Sequence, residues 1–372
     1  MTTTDTTDTT VPTATPGAFA DRFFAAALGA QEMQAAYLGD RLGWYRALAE
    51  TDAMTSVELA SGTDTDERYA REWLEHQATS GYVTVDDPTA APTERRYRLP
   101  AEHVEVLTDA DSLSFLAPLA RFVCGLGFHL DRIADAYRTG GGVSWAELGE
   151  DPREAQAAFN RPLFLHQLGQ ELFPVAPELH ERLKAGSRVV DIGCGGGWSA
   201  IGLALAYPGL TVDGFDVDEP SIRMARENAT SYGVADRVRF WVADAAELAP
   251  TEPYDVVFAF ECIHDLADPV GVLSAMRRLA GADGMVVVMD ERTEDNLTPQ
   301  GSEVERLLYG FSLTCCLADG RSRQPSEATG TVMRASTFAE YAERAGFARV
   351  EILPIDHEMF RFYRLYPSGV SG

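Results

Sequence analysis

The stretch Val189-Val190-Asp191-Ile192-Gly193-Cys194-Gly195-Gly196-Gly197 constrains this chain more than any other. A strand-like apolar run ends in a cluster of glycines, and the helix-forming run SAIGLALAY follows. Glycine lets a backbone turn sharply and approach a ligand with no Cβ in the way. The same rhythm continues downstream. TVDGFDV, VRFWVAD, YDVVFAFE and GMVVVMDE read as strands, while SIRMARENATSYG and PVGVLSAMRRLA read as helices. Such alternation predicts parallel strands with crossover helices, with any ligand beyond the carboxyl ends of the strands.

Two ligand classes want such a loop, a dinucleotide and S-adenosylmethionine. A dinucleotide site asks for G-x-G-x-x-G/A. Counted from Gly193 the last position is Trp198, which fails; counted from Gly195 the frame Gly195-Gly197-Ala200 loosely fits. The loop alone therefore leaves an NAD-linked oxidoreductase open, and the strand ends decide. Asp191 can meet the cationic amino group of a methionine moiety. Asp216 ends the second strand, where a carboxylate accepts from both ribose hydroxyls, with Asp218 as the second candidate. Asp244, followed by Ala245, ends the third strand and suits the adenine amino group. Phe260 and Glu261 end the fourth. Four successive strand tips carry groups suited to an adenosyl amino acid.

These motifs resemble the class I S-adenosylmethionine-dependent methyltransferases. VVDIGCGGG is similar to their glycine-rich first motif, GFDVD to the acid after strand two and VADAAE to the third motif, over about residues 185–365. The resemblance implies an α/β fold with a Rossmann-like seven-stranded sheet whose last two strands form an antiparallel hairpin. ARVEILPI and FRFYRLYP fit that pair. It implies S-adenosyl-L-methionine as cofactor, held by Asp191, Gly193, Gly195, Gly197, Asp216, Asp244, Ala245, Phe260 and Glu261. The segment ECIHDLADP is similar to the His-Asp segment of small-molecule O-methyltransferases that carry a winged-helix dimerisation domain. The whole chain also resembles bacterial regulator-like methyltransferases. In the O-methyltransferases the matching histidine is the general base, so the resemblance implies His264 in that role. It implies Asp290, with Glu291 beside it, as the group that orients the ring, and Asp265 as a further carboxylate raising its basicity. Leu266 stands where that family usually has tryptophan. Histidine suits the task, because it exchanges a proton near neutral pH. No metal is expected.

The rest of the chain frames this core. MTTTDTTDTTVPTATPGAF has neither a basic start nor an apolar stretch, so it reads as a disordered tail over 1–16 rather than a secretory signal. Residues 17–110 read as a mainly helical winged-helix domain for dimerisation: a helix, a Thr55-Ser56 cap and short helix, a helix over about 65–79, then a strand at Tyr82–Val85 and a hairpin ending in RRYRLP. Residues 111–183 read as a helical linker and lid, and 184–367 as the cofactor-binding domain with a cap insertion near 299–335. Phe164, Leu168, Leu308, Tyr309 and Phe311 would suit an apolar small-molecule acceptor.

A winged helix invites a DNA-binding regulator as the competing function. The charges argue against it: the would-be recognition helix carries Asp66, Glu67, Glu72 and Glu75 against Arg68 and Arg71, and the whole chain has a net charge of −26. Phosphate contacts need a basic surface, although Arg95, Arg96 and Arg98 on the wing speak weakly the other way. His166 and His180 are candidates to reach a ligand, though lone histidines on helices are more often structural. Five cysteines without framework spacing suggest a reducing cytoplasm. No run of about 18 apolar residues predicts a membrane span.

Overall fold

The structure, a computed structural model, describes residues 15–248 and 252–367. The tail expected over 1–16 lies outside the described residues except for its last two, where Thr15 caps the first helix and Pro16 opens it. The chain divides into two units, Met1–Thr108 and Asp109–Gly372.

The first unit is built from α1 (Pro16–Arg41), α2 (Trp44–Ala49), α3 (Ser56–Thr63), α4 (Glu67–Thr79), the hairpin β1 (Thr84–Val85) and β2 (Tyr97–Arg98), and α5 (Ala101–Thr108). Thr55 and Glu58 form a reciprocal capping box on α3, and Asp66 caps α4, so the start signals legible in the sequence are used. Trp44, Tyr45 and Trp73 form its aromatic core, with ring centroids 4.9 and 5.1 Å apart, and the Trp73 indole donates to the Ala35 carbonyl at 2.8 Å. Residues 17–50 are helical as α1 and α2, and α1 leaves Phe19, Phe23 and Phe24 exposed. The strand expected at Tyr82–Val85 is shorter, spanning only Thr84–Val85. The wing arginines are neutralised within the unit: Arg95 pairs with Glu75, Arg96 with Glu58, and Arg98 with Asp52 and Asp86.

The second unit opens with α6 (Ala117–Gly127), α7 (Leu130–Thr139), α8 (Trp145–Leu148) and α9 (Glu150–Pro162). After Pro162 the chain continues as a π-helix, Leu163–Leu172, followed by α10 (Pro177–Lys184). Then the α/β alternation begins: β3 (Arg188–Ile192), α11 (Trp198–Ala206), β4 (Thr211–Asp216), α12 (Glu219–Ser231), β5 (Val238–Val242), β6 (Val256–Phe260), α13 (Pro269–Ala280) and β7 (Met285–Glu291). The insertion supplies α14 (Glu303–Phe311), a π-helical turn at Ser312–Cys316 and α15 (Leu317–Gly320). The chain closes with α16 (Ala335–Arg344), β8 (Phe347–Ile352) and β9 (Phe360–Pro367).

The seven strands stand in the order β5-β4-β3-β6-β7-β9-β8; the first five are parallel, and β9 runs antiparallel to both neighbours. Strand residues alternate between faces. Val256, Phe258 and Phe260 join one apolar layer with the π-helix, α10 and α11, while Val257 and Ala259 join the other with α13 and α16. Phe173 stacks on Phe258, which stacks on Phe260, at 5.5 and 5.1 Å. Both faces are covered, which is why these strands read as continuous apolar runs. Among the described residues no helix is long and apolar enough to cross a membrane.

Candidate active site

The strand tips and the glycine loop open onto a cavity of about 810 Å³ in the second unit, within the range of small-molecule sites. Gly193, Gly195, Asp216, Asp244, Ala245, Phe260, Glu261, His264 and Asp265 all line it. Gly193, Gly195 and Gly197 have φ of 70°, 49° and 79°. Gly197 faces the protein instead of the cavity: a Cβ there would stand 2.6 Å from the Phe240 ring and 2.8 Å from Ala225. At Gly195 a Cβ would meet nothing within 4 Å, because that position borders open space. One glycine is thus required for packing and the other for access.

Asp216 is held ready at the end of β4. Its Oδ2 accepts from the Gly195 N–H at 2.9 Å and its Oδ1 from the Asp218 N–H at 2.8 Å. Each oxygen keeps a lone pair for a ligand. Asp218, the second candidate, is committed elsewhere: it caps α12 and pairs with Arg153. Asp244 accepts from the Ala246 N–H at 3.0 Å and caps a short 3-10 turn. Asp191 lies fully buried beneath the loop, accepting from the Ser199 hydroxyl, with Oδ1 unpartnered. Burial pushes its carboxyl up to about 7. Glu261 adopts a left-handed φ of 53°, a conformation that costs a non-glycine residue energy and concentrates at functional sites. Its Oε1 is buried without a partner, and burial pushes its pKa up to about 8.

His264 follows β6 on a single 3-10 turn, 2% exposed. Nδ1 lies 2.6 Å from Asp290 Oδ1 and 2.8 Å from Glu291 Oε2, and Nε2 lies 3.1 Å from Asp265 Oδ1. Asp290 does not line the cavity; it backs the ring from the end of β7. Burial disfavours the imidazolium, but Asp265, Glu291 and Asp290 together overcome it and hold the His264 pKa well above its ordinary value. Buried between these charges, Glu291 rises well above the usual carboxyl range, whereas the His264 charge draws Asp290 below it despite burial.

The insertion and the helical segment roof the cavity. Phe164, Leu308 and Phe311 line it, but Leu168 is fully buried in the core and Tyr309 turns outward to Arg334. Among the lining residues the motifs did not single out are Arg153, Gln156, Asn160, Trp145 and Asp319. Asp319 accepts from the Trp145 N–H at 2.7 Å, and burial, then Asp265, push its carboxyl up to about 7. His166 faces Asp111, and His180 faces the Tyr207 hydroxyl; both stand outside the cavity.

The donor set fits an adenosyl amino acid. Backbone and glycine leave room at the loop, Asp216 presents two acceptor oxygens, Glu261 lines the cavity with a buried Oε1 that has no partner, and Asp191, also with an unpartnered Oδ1, lies beneath the lining rather than in it.

Comparison with known proteins identifies two domains. Residues 183–332 match a family described as a methyltransferase domain, and residues 33–109 match an Rv2258c-like winged HTH domain. The 27-O-demethylrifamycin SV methyltransferase of Amycolatopsis mediterranei is 38% identical over 109 residues, 29% of this chain and 40% of that protein. The chain spans 40 to 60% of the length of the first curated relatives it matches. Among solved structures, the mitomycin 7-O-methyltransferase MmcR superposes with a TM-score of 0.68 at 23% identity, covering 95% of this chain and 98% of its own. Human N-acetylserotonin methyltransferase in complex with SAM gives 0.66 at 15% identity, covering 96% and 99%. At these identities the likeness is one of fold.

Proposed function

Because residues 183–332 match a methyltransferase domain and residues 33–109 an Rv2258c-like winged HTH domain, we propose that this chain is a class I methyltransferase that transfers the methyl group of S-adenosylmethionine to an oxygen of a small molecule, with His264 receiving the acceptor's proton. One observation carries this reading: His264, backed by Asp290 at 2.6 Å, lines the same cavity as the glycine loop and Asp216. When bound, S-adenosylmethionine supplies a methyl group already activated by its sulfonium. The chain's own residues bind, align and manage one proton. Asp216 takes the ribose hydroxyls, Asp244 and Ala245 border the adenine, Asp191 and Glu261 face the amino-acid end, and Phe260 closes the wall. Asp290 keeps the Nδ1 proton, so Nε2 is the atom that accepts from an acceptor hydroxyl. Phe164, Leu308 and Phe311 give the acceptor an apolar wall.

The test is calorimetry with S-adenosylhomocysteine, followed by a metabolite screen with labelled methyl donor. A folded protein that gives no heat with the donor or its product ends the reading; a labelled carbon, nitrogen or sulfur in the product ends only the oxygen assignment. The regulator alternative gains no support, since the wing arginines are each engaged by a carboxylate.

Asp191 makes donor binding pH-dependent. In the free chain burial holds its carboxyl up to about 7, and an ammonium partner favours the ionised form. Affinity for S-adenosylhomocysteine therefore rises with pH through about 7, by at most ~tenfold per unit from this group, and Glu261, pushed up to about 8 at the same end, carries the rise further. Titrations between about pH 6 and pH 8 read this directly; Asp191→Asn flattens the part of the curve below about pH 7, and a wild-type curve that is flat there removes Asp191 from the amino-group contact.

The same reading places the protein in the cytoplasm as a homodimer joined through its N-terminal domain. Support for the dimer comes from α1, which leaves Phe19, Phe23 and Phe24 61–70% exposed, an apolar patch of the kind that partners cover. Light scattering should read two chains, and the triple substitution of these residues by serine should read one.

A further inference from the structure

One side chain at the donor end of the cavity comes from outside the α/β core. Arg153 lies on α9, upstream of the matched residues 183–332, yet it lines the cavity and makes a two-point ion pair with Asp218. Its Nε donates to Oδ2 at 2.6 Å and its Nη2 to Oδ1 at 3.2 Å, with the two side chains 10% and 5% exposed. Asp218 Oδ2 also accepts from the Ser221 N–H and hydroxyl at 3.0 and 2.7 Å. Its own backbone N–H holds Asp216 Oδ1 at 2.8 Å. Two more residues of α9 reach the cradle: Gln156 lies 3.4 Å from Glu261 Oε2, and the Ala157 Cβ is 3.0 Å from where a Gly196 Cβ would stand.

Without Arg153, Asp218 is a buried carboxylate with no cation, two residues from the acid assigned to the ribose. We propose that Arg153 is a positioning residue of the donor site: it neutralises and fixes Asp218, so that the Asp218 backbone N–H aims Asp216 at the ribose hydroxyls. This rests on the donor reading above and deepens it. The helical segment ahead of the methyltransferase domain is then a working wall of the donor site as well as a roof for the acceptor. The role belongs to arginine, because a planar two-point fork is needed and lysine offers a single point charge.

The experiment compares S-adenosylhomocysteine with its 2′,3′-dideoxy analogue, by calorimetry, on wild type, Arg153→Met, Arg153→Lys and Asp218→Asn. Wild type should prefer the hydroxylated ligand. Arg153→Met should weaken that ligand by about tenfold and scarcely change the analogue, so the preference shrinks; Arg153→Lys should fall between. A purely structural role would lower both ligands by the same factor, and that result, or a preference kept intact in Arg153→Met, overturns the proposal. If Arg153→Met does not fold, Asp218→Asn, which breaks the ion pair and keeps the backbone, carries the same comparison. A wild type that binds neither ligand removes the donor reading itself, a different failure from a wild type that binds both and variants that behave like it.

Discussion

Replacing His264 with alanine is expected to lower kcat by ~10²–10⁴-fold while leaving affinity for S-adenosylhomocysteine unchanged. The ring is held by Asp290, Glu291 and Asp265, none of which belongs to the glycine loop, so the loss falls on the proton-transfer step. The pH profile distinguishes a base from a spacer. Three carboxylates hold the His264 pKa well above its ordinary value, and the neutral ring is the active form. The rate should therefore climb with pH through and beyond the ordinary histidine range, with its acid limb displaced upward. Asp290→Asn removes one of those carboxylates and should move the limb to lower pH while costing turnover through the freed ring. His264→Asn, closer in polarity, guards against reading a folding defect as a chemical one, because alanine leaves Asp290 and Glu291 buried without their cation. The measurement is kcat against pH on an acceptor found by labelled-methyl screening. An alanine variant turning over at the wild-type rate sinks the proton-acceptor role.

What was legible in the sequence follows a physical rule. Groups at strand tips were readable because the alternation of strands and helices places them by connectivity alone: Asp216, Asp244 and Glu261 each follow an apolar run and precede a helix or turn. Glycines were readable as a turn, but not for their separate duties; that Gly197 packs on Phe240 while Gly195 borders open space depends on β5, which lies at the sheet edge. Asp218 stood as the second candidate behind Asp216. Only the fold reveals that it is taken by a helix cap and by Arg153, more than sixty residues upstream. Arg153, Trp145 and Asp319 carried no signal, since a charged or aromatic residue on an amphipathic helix reads the same whether it faces solvent or a cavity. The same ambiguity applies to Phe19, Phe23 and Phe24: periodicity defines a helix and a stripe, but not what covers the stripe. Leu168 left the cavity wall where the chain winds as a π-helix, Leu163–Leu172, whereas Tyr309, on the α-helical α14, turns out to Arg334. A π-turn changes the angle between successive side chains, so faces inferred from a 3.6-residue period slip.

Asp216→Ala should weaken S-adenosylhomocysteine by ~10²–10³-fold, the loss of two hydrogen bonds to a charged acceptor at ~1.5–3 kcal/mol each, discounted for relaxation around the site. Its two oxygens are pre-aimed by the Gly195 and Asp218 N–H groups, so the ligand meets an arrangement whose ordering has already been met by folding. The cost of that arrangement appears in the free protein. Burial, with the nearby Asp218 charge, raises the Asp216 pKa, meaning that an ionised carboxyl at this position is held against its preference. Removing it should leave the melting temperature of the ligand-free chain unchanged or higher, while the upward shift caused by saturating S-adenosylhomocysteine collapses, because that shift scales with the logarithm of ligand concentration over Kd. The pair of melting curves separates binding from folding: a variant that simply unfolds loses both, whereas this one should lose only the ligand-induced part. Asp216→Asn should fall between, since its amide nitrogen must confront one of the two N–H donors that the carboxylate satisfies. An alanine variant whose melting temperature still rises with ligand as the wild type's does would place the ribose on other residues.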